Sequence, residues 1–259
     1  MSAYVFDHAW EAEQARLAGF ESGLDPGTIR HLETFGVGPG WRCWEIGGGG
    51  GSIAAWLCER VGDSGHVLAT DLETSFLERL PYTNLTVRRH DIVADAVPAD
   101  QFDLVHARWV LHWLPARAQA LTRMVAALRP AGWLLVEEPD FVTVYQACAS
   151  ETVGKVATAG LRALEAMSGV QSEYGRHLLD DVCVQRLSNV EALGRVTMMR
   201  GGSTLAIHLR LTIAKVQATL VSAGATTAEV IEEALARLDD PTFSTMSALT
   251  MAVWGRRVA

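Results

Sequence analysis

Lysine is nearly absent: Lys155 and Lys215 are the only two in 259 residues. None of the four tyrosines, Tyr4, Tyr82, Tyr145 and Tyr174, has a lysine four residues further on. A nicotinamide-dependent reductase working through a Tyr-x-x-x-Lys pair is therefore disfavoured. Basic residues are outnumbered 22 to 30, the net charge is −8, and no Lys/Arg-rich run occurs. That argues against a nucleic-acid partner, which needs a basic footprint. The four cysteines, Cys43, Cys58, Cys148 and Cys183, show no Cys-x-x-Cys spacing. They are expected to be buried thiols in a reducing compartment, neither a disulfide framework nor a metal site. The longest uncharged stretch, Pro241 to Gly255, is too short and too polar to span a bilayer. The opening MSAYVFDHAWEAEQ lacks the basic-then-apolar layout of a signal peptide, so a cytoplasmic location is expected.

What is present is a globular composition, 49% hydrophobic and 20% charged. Phe6, Trp10, Leu17, Phe20 and Leu24 are spaced for an amphipathic helix over 6–24. Asp25-Pro26 signals a second helix, with Asp25 as N-cap acceptor, Ile29, Leu32 and Phe35 on its apolar face and Gly36 at its end. From residue 41 strands and helices alternate. WRCWEI, HVLAT, LTVRR, FDLVHA and WLLVEE read as strands. SIAAWLCERV, with Ile53, Trp56, Leu57 and Val61 inward, TSFLERL and ARAQALTRMVAAL read as helices, the last closed by the Arg129-Pro130-Ala131-Gly132 break. This alternation implies a parallel sheet covered on both faces. After Asp140 the pattern predicts a helix over 151–168 with Val153, Val156, Gly160, Leu161, Leu164 and Met167 on one face. RVTMM is strand-like, helices are expected at 209–222 and 226–238, and SALTMAVWGRR closes as a strand. Thr226 and Glu229 stand in capping-box positions.

The only low-complexity feature is WEIGGGGGS, residues 44 to 52. It lies between a strand and a helix that must pack back on that strand, so a loose linker is a poor reading. Glycines there allow positive φ and close backbone approach to a ligand, at the carboxyl end of a strand where α/β proteins bind ligands. A dinucleotide-type match exists at Gly49, Gly51 and Ala54, but it ignores Glu45. A pyrophosphate on the loop would meet that carboxylate at close range, whereas a ligand with a cationic amino-acid end would be welcome.

EIGGGGGS is similar to the E/D-x-GxGxG signature of class I S-adenosylmethionine-dependent methyltransferases, with Glu45, Gly47, Gly49 and Gly51 at the matching places. The resemblance continues through Asp71 at the end of the second strand, RRHDIVAD, FDLVHARWVLHWL and RPAGWLLVEEPD. It implies S-adenosyl-L-methionine as cofactor, with Asp71 and Leu72 at the ribose and Asp91 and Ile92 at the adenine. Ala107 and Arg108 would lie beside the cofactor past the fourth strand. Taken singly, Asp71 and Asp91 could equally be helix caps. Asp103 is read as a structural acid. The resemblance also implies a Rossmann-like class I methyltransferase fold, an α/β architecture with a seven-stranded mostly parallel sheet in order 3-2-1-4-5-7-6. To this it adds an N-terminal helical lid over 1–40, a core over 41–140, a helical cap insertion over 141–190 and a return to the core over 191–259.

On the acceptor side, HARWVLHWLP places His112 as a candidate general base and Trp109 and Trp113 as candidate lining. In the opening segment, Tyr4 is a candidate for closing over the cofactor, and His8 and Trp10 for meeting the substrate, while Glu11 and Arg16 belong to an ordinary packed helix. The whole chain resembles actinomycete-type small-molecule methyltransferases, including those of natural-product pathways. That implies methyl transfer by in-line displacement to a small hydrophobic or aromatic acceptor, with no nucleic acid or membrane as partner; a homodimer stays open. An S-adenosylmethionine-binding, non-methylating enzyme of cyclase type remains the alternative on the same fold.

Overall fold

The computed structural model describes residues 11–258. A single helix, α1 (Glu13–Thr34), occupies the region where two were expected, and Pro26 lies inside it. Proline removes one helical donor and crowds the preceding turn. The neighbouring Asp25 does not spend its carboxylate on a cap: it accepts from Ser52 and Arg108, so tertiary bonds carry the helix through the proline. Gly36, at φ +79°, follows the end of the helix.

Five strands then alternate with helical segments. They are β1 (Arg42–Ile46), β2 (His66–Asp71), β3 (Leu85–Arg89), β4 (Phe102–Arg108) and β5 (Leu128–Asp140), with α2 (Ser52–Val61) after β1 and α3 (Arg117–Ala127) before β5. Next come α4 (Val142–Gln146), α5 (Glu151–Ser168) and α6 (Leu178–Cys183). The chain continues with β6 (Leu187–Arg195), β7 (Met198–Arg200), α7 (Thr204–Ser222), α8 (Ala228–Asp239), β8 (Ser244–Met246) and β9 (Leu249–Arg257). The main sheet has seven strands in the order β3-β2-β1-β4-β5-β9-β6. Counted along the chain as strands of that sheet, this is 3-2-1-4-5-7-6, as expected. The neighbours from β3 to β5 pair in parallel.

Several local expectations are corrected. TSFLERL forms only a single 3₁₀ turn at Leu77–Arg79; Pro81 biases Leu80 to the extended conformation it adopts, which stops a longer helix. The Arg129–Gly132 break lies inside β5 as an irregularity, with Ala131 at φ +64° and the register skipping from Phe102↔Leu128 to Leu104↔Trp133. Met167 is 51% exposed, and Ser168, one helical turn beyond Leu164, is buried in its place, its hydroxyl donating to the Leu164 carbonyl at 2.6 Å. RVTMM is not one strand: Arg195 ends β6 in the main sheet, while Met198–Arg200 pairs antiparallel with β8 in a separate ribbon. The cap of α8 is Thr227, whose side chain accepts from the Val230 amide, and not Thr226. Cys43 and Cys58 are buried, but Cys148 is half-buried and Cys183 exposed, so the thiols are not uniformly interior.

The chain divides into two compact units. One holds Asp25–Glu138, Tyr174–Gly194 and the residues from Thr250 onward; the other holds the described residues up to Leu24 together with Pro139–Glu173 and Arg195–Leu249. These boundaries cut across the 141–190 and 191–259 segments read from the sequence. In the sheet unit, successive residues of a strand face opposite sides. Cys43, Val67, Leu104 and Leu135 pack with Leu32, Ile53, Leu57 and Val61 on one face. Trp44, Phe102, Val105 and Val136 pack with Leu121, Met124, Leu178 and Val182 on the other. In the second unit α5, α7 and α8 pack together. The approach of Gly201 to the Asp240 carbonyl there leaves no room for a Cβ. Among the described residues, no helix is long and apolar enough to cross a membrane.

Leu104 is fully buried on the central strand β4. Leu104→Ala is expected to lower the unfolding free energy by about 2–5 kcal/mol, read as a fall in the urea midpoint at unchanged slope. An unchanged midpoint would show that this face of the sheet is not close-packed.

Candidate active site at the glycine turn

The switch in strand order falls between β1 and β4, where the chain leaves their carboxyl ends in opposite directions. The glycine run leaves β1 there. Gly47, Gly49 and Gly51 take positive φ, at +68°, +54° and +96°. These are the three motif positions, and two of them also lack space. A Cβ on Gly47 would lie 2.3 Å from Val110 Cγ2, and one on Gly51 would lie 2.8 Å from Leu80 Cδ1. The turn is tied to β2 by the amides of Gly47 and Gly48, which donate to the Thr70 carbonyl at 2.7 and 3.1 Å. Asp71 adds a side-chain tie: Oδ2 accepts from the Gly49 amide at 3.0 Å and Oδ1 from the Glu73 amide at 3.2 Å. Leu72, beside it, is largely exposed.

Asp91 follows β3, and its Oδ1 accepts from the amides of Val93 and Ala94 at 2.8 and 3.4 Å. It therefore caps its own turn, the structural role that was open for it. Ile92 and Ala107 are buried in the core beneath. Asp103 is the structural acid expected: it accepts from the Arg42 amide at 2.8 Å and pairs with Arg129.

Glu45 does not point its carboxylate freely at the turn. It is 4% exposed, and Oε2 meets His106 Nδ1 at 2.6 Å. The other ring nitrogen, Nε2, meets Glu137 Oε2 at 3.4 Å. Carboxylates only accept, so both ring nitrogens donate and the ring is an imidazolium. Burial by itself would lower the affinity of His106 for its second proton; the charge of Glu45 and the bonds to Glu137 and Glu45 outweigh it and raise the pKa to about 9. For Glu137, burial opposes ionisation, but the bond to His106 and the charges of His106 and Arg108 hold it at about 2. Arg108, expected beside the cofactor, is buried: NH1 donates to Thr28 Oγ1 at 2.9 Å and NH2 to Asp25 Oδ1 at 2.8 Å. Glu45, Glu137 and the half-buried Asp25 thus meet His106 and Arg108 in one connected cluster.

A second buried acid, Glu138, organises the segment after β4. Oε1 accepts from the Val110 and Leu111 amides at 3.1 and 2.7 Å; Oε2 accepts from the His112 amide at 3.2 Å and meets His112 Nδ1 at 2.7 Å. A carboxylate only accepts, so Nδ1 donates to Glu138 and Nε2 is the ring nitrogen left for another partner. Trp109 stands edge-on to His112 at 5.9 Å between centroids, and Trp113 lies 5.2 Å away. Trp109 takes φ +58°, uncommon for a bulky side chain, and is held there by its amide bond to the Glu137 carbonyl at 2.7 Å.

The site thus brings together Glu45, the three glycines, Asp71, Arg108, Trp109, His112 and Trp113, with Asp91 and Ile92 after β3. Tyr4, His8 and Trp10 lie outside the described residues. Sequence reasoning missed His106, Glu137, Glu138 and Thr28, and took Asp25 for a cap. One signal was available: WLLVEE puts two adjacent acids in a strand apolar enough to be buried on both faces, and buried acids demand partners.

Residues 44–136 match the family model described as a methyltransferase domain. Methyltransferase str2 of Strobilurus tenacellus is 29% identical over 173 residues, covering 65% of this chain and 61% of that protein. The ubiquinone/menaquinone biosynthesis C-methyltransferase UbiE of Vibrio campbellii is 32% identical over 115 residues, covering 41% of this chain and 44% of that protein. The chain therefore aligns with less than two thirds of either relative's length. Among solved structures, phosphoethanolamine N-methyltransferase 2 of Haemonchus contortus, in complex with S-adenosyl-L-methionine, superposes with a TM-score of 0.61 at 14% identity, over 99% of this chain and 60% of that one. At that identity the likeness establishes the shared class I fold.

The shifts of His106 and Glu137 each make a pH-dependent contribution to stability. His106 is raised from 6.5 to about 9, so its contribution is complete below pH 6.5 and lost as pH rises through 9. Glu137 is lowered from 4.5 to about 2, so its contribution is complete above pH 4.5 and lost as pH falls towards 2. Thermal unfolding followed against pH is expected to show a decline between pH 6.5 and 9 that His106→Gln flattens. The same decline in the variant would assign it to other groups.

Proposed function

We propose that this chain, whose residues 44–136 form a methyltransferase domain on the class I fold, transfers a methyl group from S-adenosyl-L-methionine to a small hydrophobic or aromatic acceptor. The observation that carries the reading is the glycine turn at the β1–β4 switch point. Its motif glycines hold positive φ, side chains at Gly47 and Gly51 would have no room, and Asp71 is fastened across it.

The residues present suit that cofactor. Gly47, Gly49 and Gly51 would let the backbone approach the amino-acid end closely, and Asp71 has the paired acceptor oxygens that two ribose hydroxyls require. Asp91 and Ile92 would meet the adenine. Glu45 alone does not bar a pyrophosphate, since His106 balances that carboxylate. Bound there, S-adenosylmethionine supplies an electrophilic methyl group on a sulfonium centre. The chain's own contribution is alignment of an acceptor with that methyl for in-line attack.

Trp109 and Trp113 offer aromatic surface to a flat acceptor, and the Glu138–His112 pair presents Nε2 as the atom that would take a proton from a phenol or alcohol. The ubiquinone/menaquinone biosynthesis C-methyltransferase among the relatives supports an apolar acceptor.

Calorimetric titration with S-adenosylhomocysteine is expected to show micromolar binding, and NADH and NADPH none. Asp71→Ala should weaken that binding by roughly ten- to a hundredfold, the worth of hydrogen bonds to a charged group. Dinucleotide binding without S-adenosylhomocysteine binding would overturn the reading; normal affinity in Asp71→Ala would overturn the ribose assignment. His112→Ala should keep the affinity and lower turnover by roughly 10²–10⁴-fold with phenolic acceptors. Full turnover of such acceptors would remove His112 as base. A cyclase-type use of the cofactor would give tight binding and no S-adenosylhomocysteine formed from S-adenosylmethionine across an acceptor panel.

A further inference from the structure

We infer that Asp25, Thr28 and His106 are positioning residues: they belong to a continuous side-chain circuit that leaves Glu45, just before the glycine turn, and returns at Ser52, just after it, and that holds the turn in its ligand-receiving shape. The inference rests on the proposed cofactor site and deepens it.

The path is unbroken. Glu45 Oε2 meets His106 Nδ1 at 2.6 Å, and His106 Nε2 meets Glu137 Oε2 at 3.4 Å. The Thr28 hydroxyl donates to that same Glu137 oxygen and accepts from Arg108 NH1 at 2.9 Å. Arg108 NH2 donates to Asp25 Oδ1 at 2.8 Å, and the Ser52 hydroxyl donates to the same oxygen at 3.0 Å. Donors and acceptors alternate without conflict at every link. Thr28 is the one neutral relay within the chain, accepting on one side and donating on the other.

The two ends fall on either side of residues 47–51. Consecutive glycines have the widest choice of backbone conformations, so this turn cannot be kept in one shape by its own sequence. The circuit supplies what the glycines lack. It anchors the strand leading into the turn to β4 and β5, and the first residue of α2 to α1. Water does not compete within it, because His106, Glu137 and Thr28 are fully buried, and hydrogen bonds in such surroundings are strong. Asp25 and Thr28 lie on α1, outside residues 44–136 that match the methyltransferase domain. The helix preceding the domain is thereby made part of its cofactor site.

A role confined to fastening α1 to the sheet would leave the turn unaffected, and that difference is measurable. Amide hydrogen exchange of the peptide spanning 47–52 would be compared in the full chain with Thr28→Val, Thr28→Ser and Asp25→Ala, together with S-adenosylhomocysteine titration. Thr28→Val keeps the shape and removes the relay. Exchange at 47–52 is expected to accelerate about tenfold or more in Thr28→Val and Asp25→Ala while α5 exchanges as in the parent, with affinity falling about tenfold. Thr28→Ser, which keeps the hydroxyl, should restore both. Parent-like turn exchange in both Thr28→Val and Asp25→Ala would overturn the proposal. Should Thr28→Val fail to fold, Ser52→Ala, which opens only the half-buried end, decides in its place by the same exchange readout. If the parent chain binds no S-adenosylhomocysteine, the cofactor reading falls, while exchange at 47–52 still tests the circuit.

Discussion

His106 lies fully buried with both ring nitrogens on carboxylates, Glu45 on one neighbouring strand and Glu137 on the other. Each partner is tolerable inside the sheet because the other two are there. A lone carboxylate at either position would face the cost of an uncompensated buried charge. The arrangement also discriminates between strand registers. Glu45 and His106 are directly opposite in the parallel pairing of β1 with β4. A shift of one residue would send His106 to the apolar opposite face and strand both acids. Apolar packing alone, with Val, Leu and Ala on both faces, discriminates far less between neighbouring registers.

From that triad the polar interior extends through Thr28 to Arg108 and Asp25, and so to the first residue of α2. A glycine-rich turn bordered by these bonds combines two requirements that usually conflict. The backbone is free of side chains where a ligand must come close, yet its ends are held by charged hydrogen bonds, buried at Glu45 and half-buried at Ser52. Glu138 does the equivalent for the other half of the site. One carboxylate gathers three consecutive amides and the His112 ring, so the tautomer of His112 and the course of residues 110–112 are decided by the same group.

The remainder of the chain elaborates this core. The unit containing α5, α7 and α8 has its own packing and its own antiparallel ribbon, and it lies outside the segment that matches the methyltransferase domain. Its helices are capped by local means, Ser150, Ser203 and Thr227 each accepting from an amide of the first turn. Such a unit can diverge without disturbing the bonds around residues 45–52.

How much was legible in the sequence follows from the range of the forces involved. The strand and helix alternation from 41 to 140 and the positive-φ glycines could be anticipated, because hydrophobic period and glycine chemistry act over a few residues; the sheet order came only from the family resemblance. TSFLERL and RVTMM were misjudged where a following proline or a partner strand overrode the local pattern. Pro26 within α1, the capping turn of Asp91 and the burial of Arg108 were decided by the folded chain. His106 and Glu137 are 31 residues apart in the chain, and Thr28 and Glu137 are 109 apart. No periodicity records such a meeting. The amino-acid sequence by itself determined the architecture and the position of the glycine turn; only the tertiary structure decided which buried charges pair, because a buried charge is stabilised by whichever partner the fold delivers to it.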